Sequence, residues 1–204
     1  MRLGGAILAA GASLRFGEAD KLAIDYRGSR LGEHAAKGLA GAGLMPRWAI
    51  VAVPDHPCAA GWRAHGFVVE VNPLAAQGMG TSVALAARLA RAAGCEGLII
   101  ALADMPEVPP EHFLALAARV AARGPDAIIT SALEGARLPP AAFGQAHFPM
   151  LEALGGDCGA RALLRDGEVL DCPPEWLADV DSPGDLARLR EVGGKRPPMQ
   201  SSPE

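Results

Sequence analysis

Apolar positions along this chain follow two spacings that alternate, and the alternation predicts the architecture. Leu3 to Ala9 is an unbroken apolar run of strand length, followed by a glycine-bearing loop from Ala10 to Asp20. Leu22 to Leu31 alternates weakly around Arg27-Gly28-Ser29, a short hairpin-like excursion, and Gly32 to Ala42 reads as a helix stopped by Gly43. Trp48 to Val53 is a second β-rich run ended by Pro54. Ala59 to His65 then reads as a short helix and Phe67 to Val71 as a further strand. Thr81 to Ala93 has the apolar spacing of an amphipathic helix and ends at Gly94. Gly97 to Ala103 is a strongly apolar strand that meets Asp104. Pro109 to Arg123 is a helix with proline in its first turn, and Ala127 to Ser131 is another strand.

Strands and helices at this spacing predict βαβ units, hence an α/β fold: one Rossmann-like three-layer domain with a mostly parallel sheet. Gly135 to Asp171 is less regular. It holds Leu138-Pro139-Pro140-Ala141-Ala142-Phe143, a helical Gln145 to Leu154 and a glycine-rich turn, and reads as a cap over the active-site edge. A last amphipathic helix spans Pro183 to Glu191. The domain is expected over residues 1–192, with a disordered tail over 193–204 that is rich in Pro, Ser and Gly.

Composition narrows the function classes. Half of the 204 residues are apolar and 4% are aromatic, so small side chains dominate the core and favour helices packed on a sheet. The formal net charge is −4, with no run of Lys or Arg, which argues against nucleic acid as a partner. Cys58, Cys95, Cys158 and Cys172 form no CxxC pair, and the five histidines are scattered. This pattern suits free thiols in a reducing cytoplasm rather than a zinc or redox motif. The apolar run of Met1 to Ala12 superficially resembles an export signal, but it leads straight into a polar loop and reads as a buried strand. No run reaches the roughly 18 apolar residues of a membrane helix.

Three polar constellations carry candidate chemistry. Leu8, Ala9, Ala10 and Gly11 open a loop whose small residues let backbone N–H groups approach phosphate oxygens, and Arg15 and Lys21 add positive charge to the same bend. Neither a Walker motif nor GxGxxG is present, which argues against a P-loop ATPase and a dinucleotide-binding dehydrogenase. Asp104, directly after an apolar strand, is placed to hold Mg²⁺ together with substrate phosphates. Asp181 stands either as a second ligand or as the cap of the last helix. Asn72 offers a donor and an acceptor to a base or sugar edge. Gly78 permits close backbone approach, and Thr81 or Ser82 opens a helix whose N-terminus favours anions. Both the Gly11 loop and Asp104 fall at C-terminal strand ends, where open α/β sheets bind ligands.

The string LAAGASLRFGEADK resembles the LxAGxSxRxGxxK signature of nucleotidyltransferases of the molybdenum cofactor type, and the likeness continues through VNPLAAQGMGTSV, LADMPEVP, FPMLEALGGDCGARALL and DVDSPGDL. LAAG, where guanylyltransferases usually show LAGG, points to the molybdenum cofactor cytidylyltransferase branch of the MobA/MocA-like NTP transferases. The resemblance implies an enzyme that moves CMP from CTP to molybdopterin, with or without molybdenum, and releases pyrophosphate. It implies backbone contacts to base and ribose from Leu8, Ala10 and Gly11. Arg15 and Lys21 hold the triphosphate, Asp104 binds Mg²⁺, and the region of Asn72 and Ser82 contacts the nucleoside. A recipient molybdoenzyme is the implied downstream partner. Rival readings are a GTP-dependent guanylyltransferase, a nucleotidyltransferase for sugar or alcohol phosphates, and a non-catalytic module that binds and delivers the finished cofactor. Two positions depart from the family pattern. Ala103 stands where glycine commonly precedes the metal-binding Asp, and Arg137-Leu138-Pro139-Pro140 replaces a Gly-x-Pro segment.

Overall fold

The computed structural model describes residues 1–11, 20–156 and 161–193. Its first strand, β1 (Leu3–Ala9), leads to a small hairpin, β2 (Asp25–Tyr26) and β3 (Ser29–Arg30), and then α1 (Leu31–Gly41). There follow β4 (Arg47–Val51), α2 (Ala59–Ala64), β5 (Val68–Val71), α3 (Met79–Ala92), β6 (Gly97–Leu102) and α4 (Pro110–Arg123). The remainder comprises β7 (Ile128–Leu133), β8 (Ala136–Gly144), α5 (Phe148–Glu152), α6 (Arg161–Leu164), β9 (Glu168–Asp171) and α7 (Pro183–Gly193).

Seven strands form one sheet in the order β5-β4-β1-β6-β8-β7-β9, and β8 alone among them runs antiparallel to its neighbours. Period-2 alternation sends successive residues of each central strand to opposite faces. Ile7, Ala49, Ile99 and Ala142 join α1 and α4 in one core, which includes Leu39, Phe113 and Leu116. Ala6, Ile50, Leu98 and Phe143 face α3 and α5 in the other, beside Val83, Phe148 and Leu151. The sheet is thus apolar on both sides and covered on both, as the continuous apolar runs require. A third, smaller cluster joins Tyr26 and Leu31 to Val180, Leu186 and Leu189, and so fastens the hairpin to α7.

The chain leaves β1 toward β4 and β5, then returns over α3 to β6 on the other side of β1. This reversal opens a crevice at the C-terminal ends of β1 and β6, where ligands bind in such sheets.

One expectation is corrected. Gly135 to Asp171 is not a cap: Ala136–Gly144 is inserted in the sheet between β6 and β7, and Glu168–Asp171 is its edge strand. Pro139 and Pro140 cannot donate to a ladder, and prolines are rare inside a sheet. The sheet tolerates them because the β7–β8 register slips where they lie. Thr130 pairs with Ala141 and Ser131 with Leu138, so neither proline faces a partner residue on β7. Side chains repair the break, since Ser131 Oγ donates to the Pro140 carbonyl at 2.7 Å and Thr130 Oγ1 to that of Leu138 at 3.2 Å. The helical Gln145 to Leu154 resolves into a single turn, Gln145–His147, and the short α5. The last helix runs to Gly193, and the tail beyond it lies outside the described residues.

Candidate active site

At the crevice the end of β1 bounds a cavity of about 520 Å³, lined by Leu8, Ala9, Ala10, Gly11, Lys21, Gly78, Ser82 and Asp104, with Ala52, Ala75, Met79 and Leu102 among its apolar walls. Eight positions singled out in the sequence therefore meet at one place. Arg15 falls in residues 12–19, outside the described residues. Ala103, the departure before Asp104, does not line the cavity. Its N–H donates to the Leu8 carbonyl at 3.0 Å and its methyl packs into the core beneath α1 and α4, so it does not crowd the site.

Lys21 begins a 3₁₀ turn, Lys21–Ala23, whose first free N–H, that of Leu22, is accepted by Asp20 Oδ1 at 2.9 Å. The turn delivers the Lys21 ammonium between two carboxylates, 2.6 Å from Asp104 Oδ2 and 2.9 Å from Asp181 Oδ1. Burial by itself lowers the pKa of Lys21, but the charges and hydrogen bonds of Asp104 and Asp181 outweigh it and hold the group above its usual value. The ammonium is therefore charged throughout the neutral range. Asp104 and Lys21 are largely enclosed, whereas the Asp181 side chain is 50% exposed.

Asp181 is not the helix cap. Ser182 performs that task with Asp185 three residues on: Ser182 N–H and Oγ donate to Asp185 Oδ2, each at 2.7 Å, and Asp185 N–H returns a bond to Ser182 Oγ at 3.3 Å. Asp181 is left to face Lys21. The neighbouring Asp179 has its pKa raised by burial first, then by the negative charges of Asp181 and Asp104.

Asn72 plays another part than the one expected of it. It is 2% exposed and outside the cavity wall, and its side chain is engaged within the protein. Nδ2 donates to Thr81 Oγ1 at 2.8 Å and to Ser82 Oγ at 2.9 Å, while Oδ1 accepts the N–H of Leu74 at 3.0 Å. A base or sugar edge has no room in that network, so Asn72 braces the start of α3 and presents Ser82. That start lies two residues earlier than expected, at Met79, because Gly78 supports φ of 116° and Thr81 Oγ1 bonds back to the Gly78 carbonyl.

Sequence reasoning missed what steadies Asp104. Tyr26 Oη donates to Glu107 Oε1 at 2.7 Å, and Arg27 pairs with the same carboxylate, tying the hairpin to the loop after β6. A tyrosine in a short polar hairpin gives no sign of a partner 81 residues on. A second cavity of about 440 Å³ adjoins the first, sharing Leu8, Met79 and Leu102. Its walls are mainly apolar, with Ile100, Leu138, Phe143 and Leu177 among them, and Arg137 and Asp179 as its charged groups.

The donor set at the first cavity suits a hard cation. Asp104 Oδ1 is buried and has no hydrogen-bond partner among the described residues, and Asp181 supplies a second carboxylate nearby. No cluster of three or more metal-ligating side chains occurs among the described residues. Two carboxylates are nevertheless enough where substrate phosphates complete the shell.

Residues 5–171 match the MobA-like NTP transferase domain. The chain belongs to this family. The purine catabolism protein PucB of Bacillus subtilis is 31% identical over 208 residues, which cover 92% of this chain and 96% of PucB. Among solved structures, Rv0371c of Mycobacterium tuberculosis superposes with a TM-score of 0.75 at 25% identity, covering 93% of this chain and 98% of that one. Its complex with manganese gives a TM-score of 0.69 at 24% identity, covering 94% and 99%. The family assignment makes the chain a nucleotidyltransferase, and the superposition shows that it shares the fold of Rv0371c. No described helix is long and apolar enough to cross a membrane.

Proposed function

We propose that this protein is a Mg²⁺-dependent cytidylyltransferase that moves CMP from CTP to molybdopterin or the molybdenum cofactor, releasing pyrophosphate. The observation that carries this reading is the Lys21 ammonium set between Asp104 and Asp181 at the wall of a cavity bounded by Leu8 to Gly11. The backbone at Leu8, Ala10 and Gly11 borders base and ribose, and Ser82 at the start of α3 borders the nucleoside. The Ala10 methyl narrows the cavity and favours a pyrimidine, an effect worth about 1–3 kcal/mol in an apolar pocket. Lys21 exchanges its carboxylate partners for the triphosphate, joined by Arg15.

Asp104, through its unpartnered Oδ1, and Asp181 would hold the metal ion. Held there, Mg²⁺ would supply positive charge to offset that of the departing pyrophosphate. Rv0371c, which shares the fold, forms a complex with manganese, and this supports a divalent ion as the cofactor. The adjoining apolar cavity seats the acceptor, with Arg137 at its wall to meet a polar or anionic group. A terminal phosphate oxygen of the acceptor bonds to the α-phosphorus as the bond to the pyrophosphate oxygen breaks. A phosphate nucleophile is already ionised at neutral pH, so orientation and charge neutralisation supply the rate and no catalytic His or Cys is required. The product then serves a recipient molybdoenzyme.

The test is pyrophosphate release from the purified protein with Mg²⁺, molybdopterin and each nucleoside triphosphate in turn. Release with CTP alone is the expected result. Release with GTP alone moves the donor, and release only with a sugar or alcohol phosphate moves the acceptor. Binding of the cofactor without any release replaces the enzyme with a delivery module.

A further inference from the structure

Lys21 is aimed by residues that touch neither cavity. The loop between β4 and α2 brings His56 and Cys58 against the two ends of the Lys21 turn. His56 is buried, and its Nδ1 accepts the backbone N–H of Cys58 at 3.1 Å, which places the ring proton on Nε2. Nε2 lies 3.1 Å from Asp20 Oδ2. The other oxygen of the same carboxylate caps the Lys21 turn through the Leu22 N–H. At the far end of the turn, the Cys58 thiol donates to the Leu22 carbonyl at 3.1 Å. Burial pushes that thiol's pKa up to about 12, so it keeps the proton it donates.

The imidazole itself has little freedom. It lies against the Trp62 indole with ring centroids 4.7 Å apart, and Trp62 Nε1 donates to the Gly32 carbonyl at 2.8 Å on α1. A buried His–Asp pair elsewhere in a core would do no more than stabilise the fold. Here the carboxylate belongs to the residue preceding Lys21, and the cap it makes sets the direction in which Lys21 leaves the backbone. Misplacement of a substrate-binding group by about 1 Å can cost a hundredfold in rate, so such a brace has functional weight.

We propose that His56 is a positioning residue for the nucleotide's phosphates: it holds Asp20, Asp20 holds the turn, and the turn aims Lys21. The inference rests on the reading of Lys21 as a triphosphate ligand. The signature expected is therefore selective for the triphosphate, whereas a purely structural contribution would weaken every ligand of the cavity alike.

The test is a set of binding titrations with Mg²⁺, using CTP and GTP beside CMP and GMP. The wild type, His56→Leu, His56→Gln, Lys21→Ala and the double variant His56→Leu/Lys21→Ala are compared. His56→Leu removes the Nε2 donor, and His56→Gln restores an N–H at similar reach. The leucine variant is expected to bind the preferred triphosphate about tenfold more weakly, or roughly 1.4 kcal/mol, with monophosphate affinity unchanged. The glutamine variant recovers most of the loss, and the leucine change adds little once Lys21 is gone. Should His56→Leu not fold, Asp20→Asn replaces it, with the same selective loss expected. Wild-type triphosphate affinity in His56→Leu, equal loss for mono- and triphosphate, or full additivity in the double variant each overturns the proposal. If Lys21→Ala binds triphosphate as well as the wild type, the reading of the site itself falls, and this inference with it.

Discussion

The backbone N–H of Val180 donates to the carbonyl oxygen of Asp104 at 3.0 Å. This one bond sets the segment carrying Asp181 against the loop carrying Asp104, although Val180 lies 76 positions further along the chain. Val180 is fully buried in the cluster with Tyr26, Leu31, Leu186 and Leu189. Truncation by Val180→Ala removes two buried carbons and is expected to cost roughly 2 kcal/mol of stability. Denaturant unfolding measures that cost. Turnover measured where the variant remains folded should fall as well, because the buried Val180 side chain helps to hold the segment that carries Asp181.

Lys21 and Asp104 should be separable from stability. Lys21→Ala or Asp104→Ala is expected to reduce pyrophosphate release by about a hundredfold or more, the scale of losing one preorganised charge at a reacting centre. Any change in thermal unfolding should be small beside the loss of turnover, since the pair lines the cavity rather than the apolar core. Near-normal release in both variants would remove them from the site.

Asn72→Ala leaves Thr81 Oγ1, Ser82 Oγ and the Leu74 N–H without their shared partner. The expected cost is about 1–3 kcal/mol, the range for orphaned buried polar groups. Nucleotide affinity should drop in parallel with the loosened start of α3. A direct ligand role would instead lower affinity at unchanged stability, and the two measurements taken together decide between them.

His112 gives the fold an acid limit. It is 2% exposed and its Nε2 meets Ser131 Oγ at 2.7 Å. Because Ser131 Oγ donates to the Pro140 carbonyl, the imidazole supplies the proton of the other bond. Burial depresses its pKa below the ordinary 6.5, with Glu111 opposing. A depressed histidine pKa means that the unfolded chain takes up the proton first. The stabilising contribution is complete above 6.5 and is lost as pH falls from there toward the lower folded value. Tm should decline over that acid range, and His112→Gln, which cannot titrate, should decline less. An identical pH profile in the variant would exclude His112 as the source.

Much of the layered fold was legible because buried strands and amphipathic helices write themselves as different apolar spacings. The runs at Leu3–Ala9 and Gly97–Leu102 needed no tertiary information, nor did the glycine and proline stops around the helices. β8 was not legible, because Pro139 and Pro140 signal an end to pairing and only a register slip on β7 accommodates them. Asn72 looked available for a ligand because its partners, Thr81 and Ser82, lie on a helix whose placement the sequence does not state.

The sequence by itself determined that this is a covered α/β sheet with a small-residue loop and an aspartate each at the C-terminal end of a strand. Local spacing is enough for that, since both features follow directly from apolar strands. Tertiary structure alone decided that Asp181 lies beside Lys21 and does not cap the last helix. Whether it caps a helix or faces a lysine depends on Ser182 and Asp185 taking the cap, and on Val180 docking the segment beside Asp104. It also decided that His56 meets Asp20, for a contact between distant residues leaves no periodic trace in the chain.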